Sequence, residues 1–214
     1  MTRLAELLLL LVVLANFSVL ATSRVSACIR AIAFQGLLLG ALPLLLIPGW
    51  STHTMVLAAG TALVKAGLLP WFLRWAIREA SVRREVEPLI GYMASMLLGT
   101  AALAVAFAVA AVLPLPLPLA VTPLLVPVAL VTVIIGLVVL ITRSKAITQV
   151  VGYLMLENGI YLFGLTQSAR VPFLVEIGVL LDVFVGVFVM GIVIFHINRE
   201  FDSMSAANLR ELRD

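Results

Sequence analysis

Seven apolar runs of spanning length follow one another along this chain, at about Leu4–Ala21, Ile29–Leu46, Met55–Trp75, Leu89–Leu113, Leu119–Ile141, Ile147–Leu165 and Val171–Phe195. A helix rises about 1.5 Å per residue and the hydrocarbon layer of a bilayer is about 30 Å thick, so about 20 apolar residues cross it. With 63% hydrophobic and 12% charged residues and a mean hydropathy of +1.20, a chain of 214 residues has no interior large enough to hide its apolar surface from water. The expectation is an all-α, polytopic integral membrane protein with about seven transmembrane helices. An outer-membrane barrel is excluded, because its segments would be shorter and would alternate polar with apolar residues.

The basic residues orient the bundle. With seven spans, Arg24, Arg30, Arg74, Arg78, Arg83, Arg84, Arg143, Lys145, Arg199, Arg210 and Arg213 fall on one face, and Arg3 and Arg170 on the other. Lys and Arg are retained on the cytoplasmic side, which places the N-terminus outside and the C-terminus inside a cell inner (plasma) membrane. Arg24 interrupts the approach to the lipoprotein-like box Val25-Ser26-Ala27-Cys28, and a second span follows at once, so the first run reads as a retained helix rather than a cleaved signal.

Three regions follow: a four-helix part over 1–118, a three-helix part over 119–195 and a cytoplasmic amphipathic tail over 196–214. The loop Arg74–Pro88 mixes four arginines with Glu79, Glu85 and Glu87, and reads either as a positive-inside anchor or as a docking surface. The proline-rich stretch Leu113–Pro127 cannot be continuous helix. A single Cys allows no intrachain disulfide and no cysteine-ligated cluster, and His53 and His196 fall at opposite faces, which leaves no axial pair for a haem. No cofactor site, metal site or catalytic centre is expected in this chain, and no nucleic acid as a partner.

Charges inside the apolar runs carry the functional signal. An ionised side chain at the centre of a span costs roughly 2.5 kcal/mol or more, so such residues face protein or water and mark ion pathways. Glu157 lies mid-span with Tyr153 and Tyr161 one turn to either side; it reads as a protonatable relay or as a structural acid bonded to a neighbouring helix. Asp182 is too short and too deep to reach the interface and needs a partner. Glu176 lies about 120° from it around the helix axis, nearer the outer end, and the two form no carboxylate pair. Lys65, five residues before Pro70, combines a charge with an expected kink; it reads as a proton-handling residue or as a lysine that snorkels to the inner surface.

The segment ITQVVGYLMLENGIYLFGL, the loop sequence REVEP and the tail start FHINREFDS resemble the E component of hydrogenase-4, a membrane subunit family of group 4 nickel-iron hydrogenase and formate hydrogenlyase complexes. The resemblance covers most of the chain. From about Leu119 the last three runs are also similar to the K subunit of respiratory complex I and the C subunit of multisubunit cation/proton antiporters. The K-subunit pattern has Gly-x-Glu in its second helix, whereas here Gly152 is followed by Tyr153 and Leu154, and the acid comes one turn later at Glu157. KAGLLPW is similar to the Lys and Pro of antiporter-like subunits.

The resemblance implies a non-redox membrane subunit of an oxidoreductase complex, contributing intramembrane carboxylates to a proton or sodium path coupled to electron transfer. Partners would be antiporter-like membrane subunits and a cytoplasmic redox arm, with iron-sulfur clusters and a nickel-iron or other redox centre in those other chains. Glu157, Asp182 and Lys65 would form the relay, with Glu176, Tyr153, Tyr161 and His196 as further relay or support. Two alternatives stand beside it: an antiporter subunit without a redox arm, and a structural spacer whose charges only hold helices together.

Overall fold

Helices are the only backbone form that satisfies its own polar groups within one apolar segment, and the computed structural model, which describes residues 2–47, 51–79, 89–113 and 122–167 with Phe184, Val187, Phe188 and Gly191, is built from them. α1 spans Thr2–Ala21, α2 Val25–Leu46, α3 Thr52–Ala62, α4 Leu69–Glu79, α5 Tyr92–Val112, α6 Leu125–Thr142 and α7 Ala146–Gln167; a π-helical segment, Leu63–Leu68, joins α3 to α4.

Local sequence sets the ends. α2 and α5 stop at Ile47 and Leu113, both extended, each preceding a proline that disfavours helical backbone in the residue before it. α3 starts at Ser51, whose hydroxyl accepts the Thr54 N–H at 3.2 Å. The fifth run, expected from about Leu119, is helical from Leu125, two residues after Pro123; Pro127 falls in its first turn, where no intrahelical donor is needed.

Among the described residues, five stretches are long and apolar enough to cross a membrane: Arg3–Ala21, Val25–Leu46, Thr54–Arg78, Tyr92–Val112 and Leu125–Thr142. The third contains α3, the π segment and α4 as one span. α7, with 22 residues, is about 33 Å long, but Gln149, Glu157 and Asn158 lower its hydropathy below that of these five. The protein is thus a multi-span helical membrane protein. The run expected at Val171–Phe195 lies outside the described residues except for Phe184, Val187, Phe188 and Gly191, which are helical.

Packing is tightest between α6 and α7. A side chain at Gly136 would strike the backbone of Leu156, and one at Gly152 would lie 2.5 Å from the Leu140 nitrogen. The two helices therefore touch main chain to main chain, the use small residues have where lipid gives no hydrophobic drive between helices. Around this seam lie two apolar clusters. One gathers Leu20, Ile29, Leu73, Val139, Val151 and Leu154; the other Leu9, Leu39, Leu42, Leu125 and Leu162.

Arg143, at the end of α6, is buried rather than spread at an interface. Its Nη2 donates to the Leu20 carbonyl at 3.3 Å, its guanidinium sits 5.8 Å from the Tyr92 ring centre, and burial pushes its pKa down from the ordinary guanidinium value.

Candidate functional site

Lys65 and Glu157, 92 residues apart in sequence, meet inside the bundle. Lys65 Nζ donates to Glu157 Oε1 at 2.7 Å, and the two side chains are 2% and 1% exposed. The lysine does not snorkel to a surface. Its helix explains how it reaches inward: the Leu69 N–H bonds to the Val64 carbonyl, five residues back, in a wider turn than an α-helix makes. Pro70 follows directly and has no N–H to offer the preceding turn. The kink expected at this proline is therefore taken up as a π turn, a form that occurs mostly as single bulges and often at functional sites.

Tyr161, one turn after Glu157, completes the cluster. Its ring centre is 5.8 Å from Lys65 Nζ, and its hydroxyl lies 3.3 Å from Thr61 Oγ1 of α3. A carboxylate, an ammonium and a phenol thus share one buried volume. Tyr153 turns elsewhere. It is half-buried and lines a cavity of about 390 Å³ with Leu140, Gln149, Val150, Phe184 and Phe188. Asp182, Glu176 and His196 lie outside the described residues.

A second polar group, absent from the expected site residues, adjoins the pair. Asn158 Nδ2 donates to Gln35 Oε1 at 3.1 Å, Gln35 Nε2 to Asn16 Oδ1 at 2.6 Å, Asn16 Nδ2 to Thr132 Oγ1 at 2.8 Å, and Thr132 Oγ1 to the Val128 carbonyl at 2.7 Å. All four side chains are buried. This chain of neutral groups ties α7, α2, α1 and α6 together and lies between the two apolar clusters. Asn16 and Gln35 were visible as lone amides within apolar runs, and that was the available signal.

What the site can do chemically follows from its desolvation. A buried carboxylate and ammonium hold each other's charge, and removing one leaves the other in a medium that cannot solvate it. Protonation of the acid or deprotonation of the amine is therefore felt directly by the partner 2.7 Å away.

Comparison with known proteins gives two kinds of relative. The chain is 36% identical over 205 residues, covering 94% of itself and 92% of the relative, to the uncharacterized protein Rv0085 of Mycobacterium tuberculosis. It belongs to that protein's family. It is also 28% identical over 159 residues, about three quarters of each chain, to hydrogenase-4 component E of Escherichia coli K12 and of Shigella flexneri. No family model matches the chain, and no solved structure matches it. The similarity to component E agrees with the resemblance read from ITQVVGYLMLENGIYLFGL and covers a large part of the bundle.

Proposed function

We propose that this protein is a membrane subunit of a group 4 hydrogenase-like complex in the inner (plasma) membrane, N-terminus outside and C-terminus inside. Within it the Lys65–Glu157 pair forms part of a proton or sodium path coupled to electron transfer. The observation that carries this reading is the pair itself: two opposite charges fully withdrawn from water, one of them on a π turn, in a chain similar to hydrogenase-4 component E. A neutral hydrogen-bonded pair would hold helices together with far less desolvation, and the neighbouring amides do so.

The chemistry is a proton exchange at constant charge. A proton arriving on a Glu157 oxygen neutralises the carboxylate and withdraws the counter-ion of Lys65. Lys65 then passes a proton from Nζ onward, so one proton leaves the pair as one enters. The Tyr161 ring, 5.8 Å from Nζ, favours the charged form of Lys65 before that proton leaves. Asp182 is the expected next acid along the path, with Glu176 and His196 as further relay or support residues. Iron-sulfur clusters and the nickel-iron or other redox centre belong to partner subunits, with antiporter-like membrane subunits beside this one.

Glu157→Gln tests the reading, because the amide keeps shape and hydrogen bonding but cannot release a proton. It also takes this carboxylate from Lys65, so the yield of folded protein should fall and translocation is compared per assembled complex. With assembly verified, ion translocation per electron in the reconstituted complex should fall by roughly 100-fold, the scale of a lost acid–base group. Translocation at the native ratio and rate would end the relay reading and leave the pair a structural one.

A further inference from the structure

The two members of the ion pair sit on different helices, and a third helix, α2, reaches both through adjacent residues. Gln35 accepts from Asn158, the residue after Glu157, at 3.1 Å. Gly36 lies against the main chain of Lys65 itself: a Cβ there would be 2.5 Å from the Lys65 carbonyl carbon, 2.7 Å from its oxygen and 2.8 Å from the Ala66 nitrogen. Successive helical residues point about 100° apart, so one dipeptide faces α7 and the π segment at once.

We propose that Gln35 and Gly36 are positioning residues for the Lys65–Glu157 pair, Gly36 setting the distance of the π segment and Gln35 setting the rotation of α7. The inference rests on the proton-transfer reading of that pair.

The geometry makes both settings stringent. Atoms crowded by a methyl at Gly36 are backbone, which cannot rotate aside; restoring an ordinary 3.5 Å contact would move Lys65 outward by about 1 Å. An ionic hydrogen bond of 2.7 Å stretched by that much is no longer one. Gln35 is held at both ends, since its Nε2 donates to Asn16 while its Oε1 accepts from Asn158. With side chains about 5–6 Å from the helix axis, turning α7 by 20° sweeps the Glu157 carboxylate through about 2 Å. Asn158 bound to Gln35 opposes that turn. An apolar residue at position 35 would fill the space but fix no angle.

Gly40, one turn along α2, supplies the control. A Cβ there would lie 2.7 Å from the Ala62 side chain and 3.0 Å from the Ala58 carbonyl, the same crowding against α3 but away from Lys65. The complex should therefore be reconstituted with Gly36→Ala, Gln35→Met, Gly40→Ala and, in parallel, Glu157→Gln, and the pH profile of ion translocation per electron measured for each. Gly36→Ala and Gln35→Met are expected to lower translocation by between about 10- and 100-fold, the scale of a 1 Å misplacement, and to displace the pH profile. Lys65→Arg, with its longer and forked side chain, should restore part of the loss in the Gly36→Ala background. Gly40→Ala should change yield or thermal stability and leave the profile in place.

Native coupling in Glu157→Gln would sink the proton-transfer reading, whatever α2 does. Loss of coupling in Glu157→Gln with a native ratio and profile in both α2 variants would overturn the positioning inference alone. So would an equal displacement in Gly40→Ala, or failure of both Gly36→Ala and Gln35→Met to assemble, either of which makes the dipeptide helix glue.

Discussion

Two polar groups of opposite kind lie next to each other between the apolar clusters. One is the neutral chain Asn158–Gln35–Asn16–Thr132, every link a hydrogen bond between groups that need no charge. The other is built round the ion pair Lys65–Glu157, two groups that lose their hydration to meet. The neutral chain joins four helices; the pair adds the α3–π–α4 span to them. The difference separates two tasks. Holding helices together is done here by amides, hydroxyls and the glycine seam, so the greater desolvation of the charged pair calls for a reason other than cohesion.

The sharpest way to break this comparison is to remove one charge. Lys65→Met or Glu157→Leu leaves its former partner charged in the interior, at about 3–5 kcal/mol, and the amount of folded protein in membranes should collapse. The double variant Lys65→Met/Glu157→Leu should recover folded protein and still not translocate ions. A double variant no more abundant than the singles would mean that the pair is cohesive after all.

A smaller effect follows from giving the neutral chain a charge. Gln35→Glu places a carboxylate where the amide had both a donor and an acceptor, and thermal stability should fall by about 2.5 kcal/mol, the lower scale for a mid-span acid. Lowering the pH protonates the introduced group and should restore part of the loss; an effect independent of pH would assign it to shape instead.

Smaller again is Asn16→Leu. It leaves Gln35 and Thr132 each one partner short, and calorimetry or a thermal-shift assay should read a loss of about 1 kcal/mol, since hydrogen bonds in membranes are modest. A loss as large as that of Lys65→Met would erase the distinction between the two groups. Least of all, Tyr92→Leu removes the ring beside Arg143, remote from both, and should cost about 0.5–1 kcal/mol with no change in the pH profile of translocation.

Much of this was legible before any coordinates. The first six apolar runs appear as helical, five of them long and apolar enough to cross a membrane, because length and apolarity are read directly from the sequence. Lys65 and Glu157 were legible as charges that needed company. Their pairing was not, since it depends on how α7 is turned by its backbone contacts at Gly136 and Gly152 and by the Asn158–Gln35 bond, and rotation is a property of helices together. Pro70 announced irregular backbone, but a kink and a π turn leave the same sequence mark. Tyr153 and Tyr161, assigned to one stripe by spacing, diverge: eight residues amount to about 80° of rotation, enough to send one to the ion pair and the other to the cavity. The amides of α1 and α2 were passed over because a neutral polar residue in a span is common, and only the neighbour across the gap shows it to be part of a chain.

The 92 residues between Lys65 and Glu157 also govern how the protein comes into being. A ribosome adding about 5–20 residues per second delivers the acid about 5–20 s after the base. For that interval the nascent third span carries its lysine without Glu157, and a charge at mid-span costs roughly 2.5 kcal/mol or more. A chain stalled or truncated before α7 would therefore lack the acid that Lys65 meets in the finished fold.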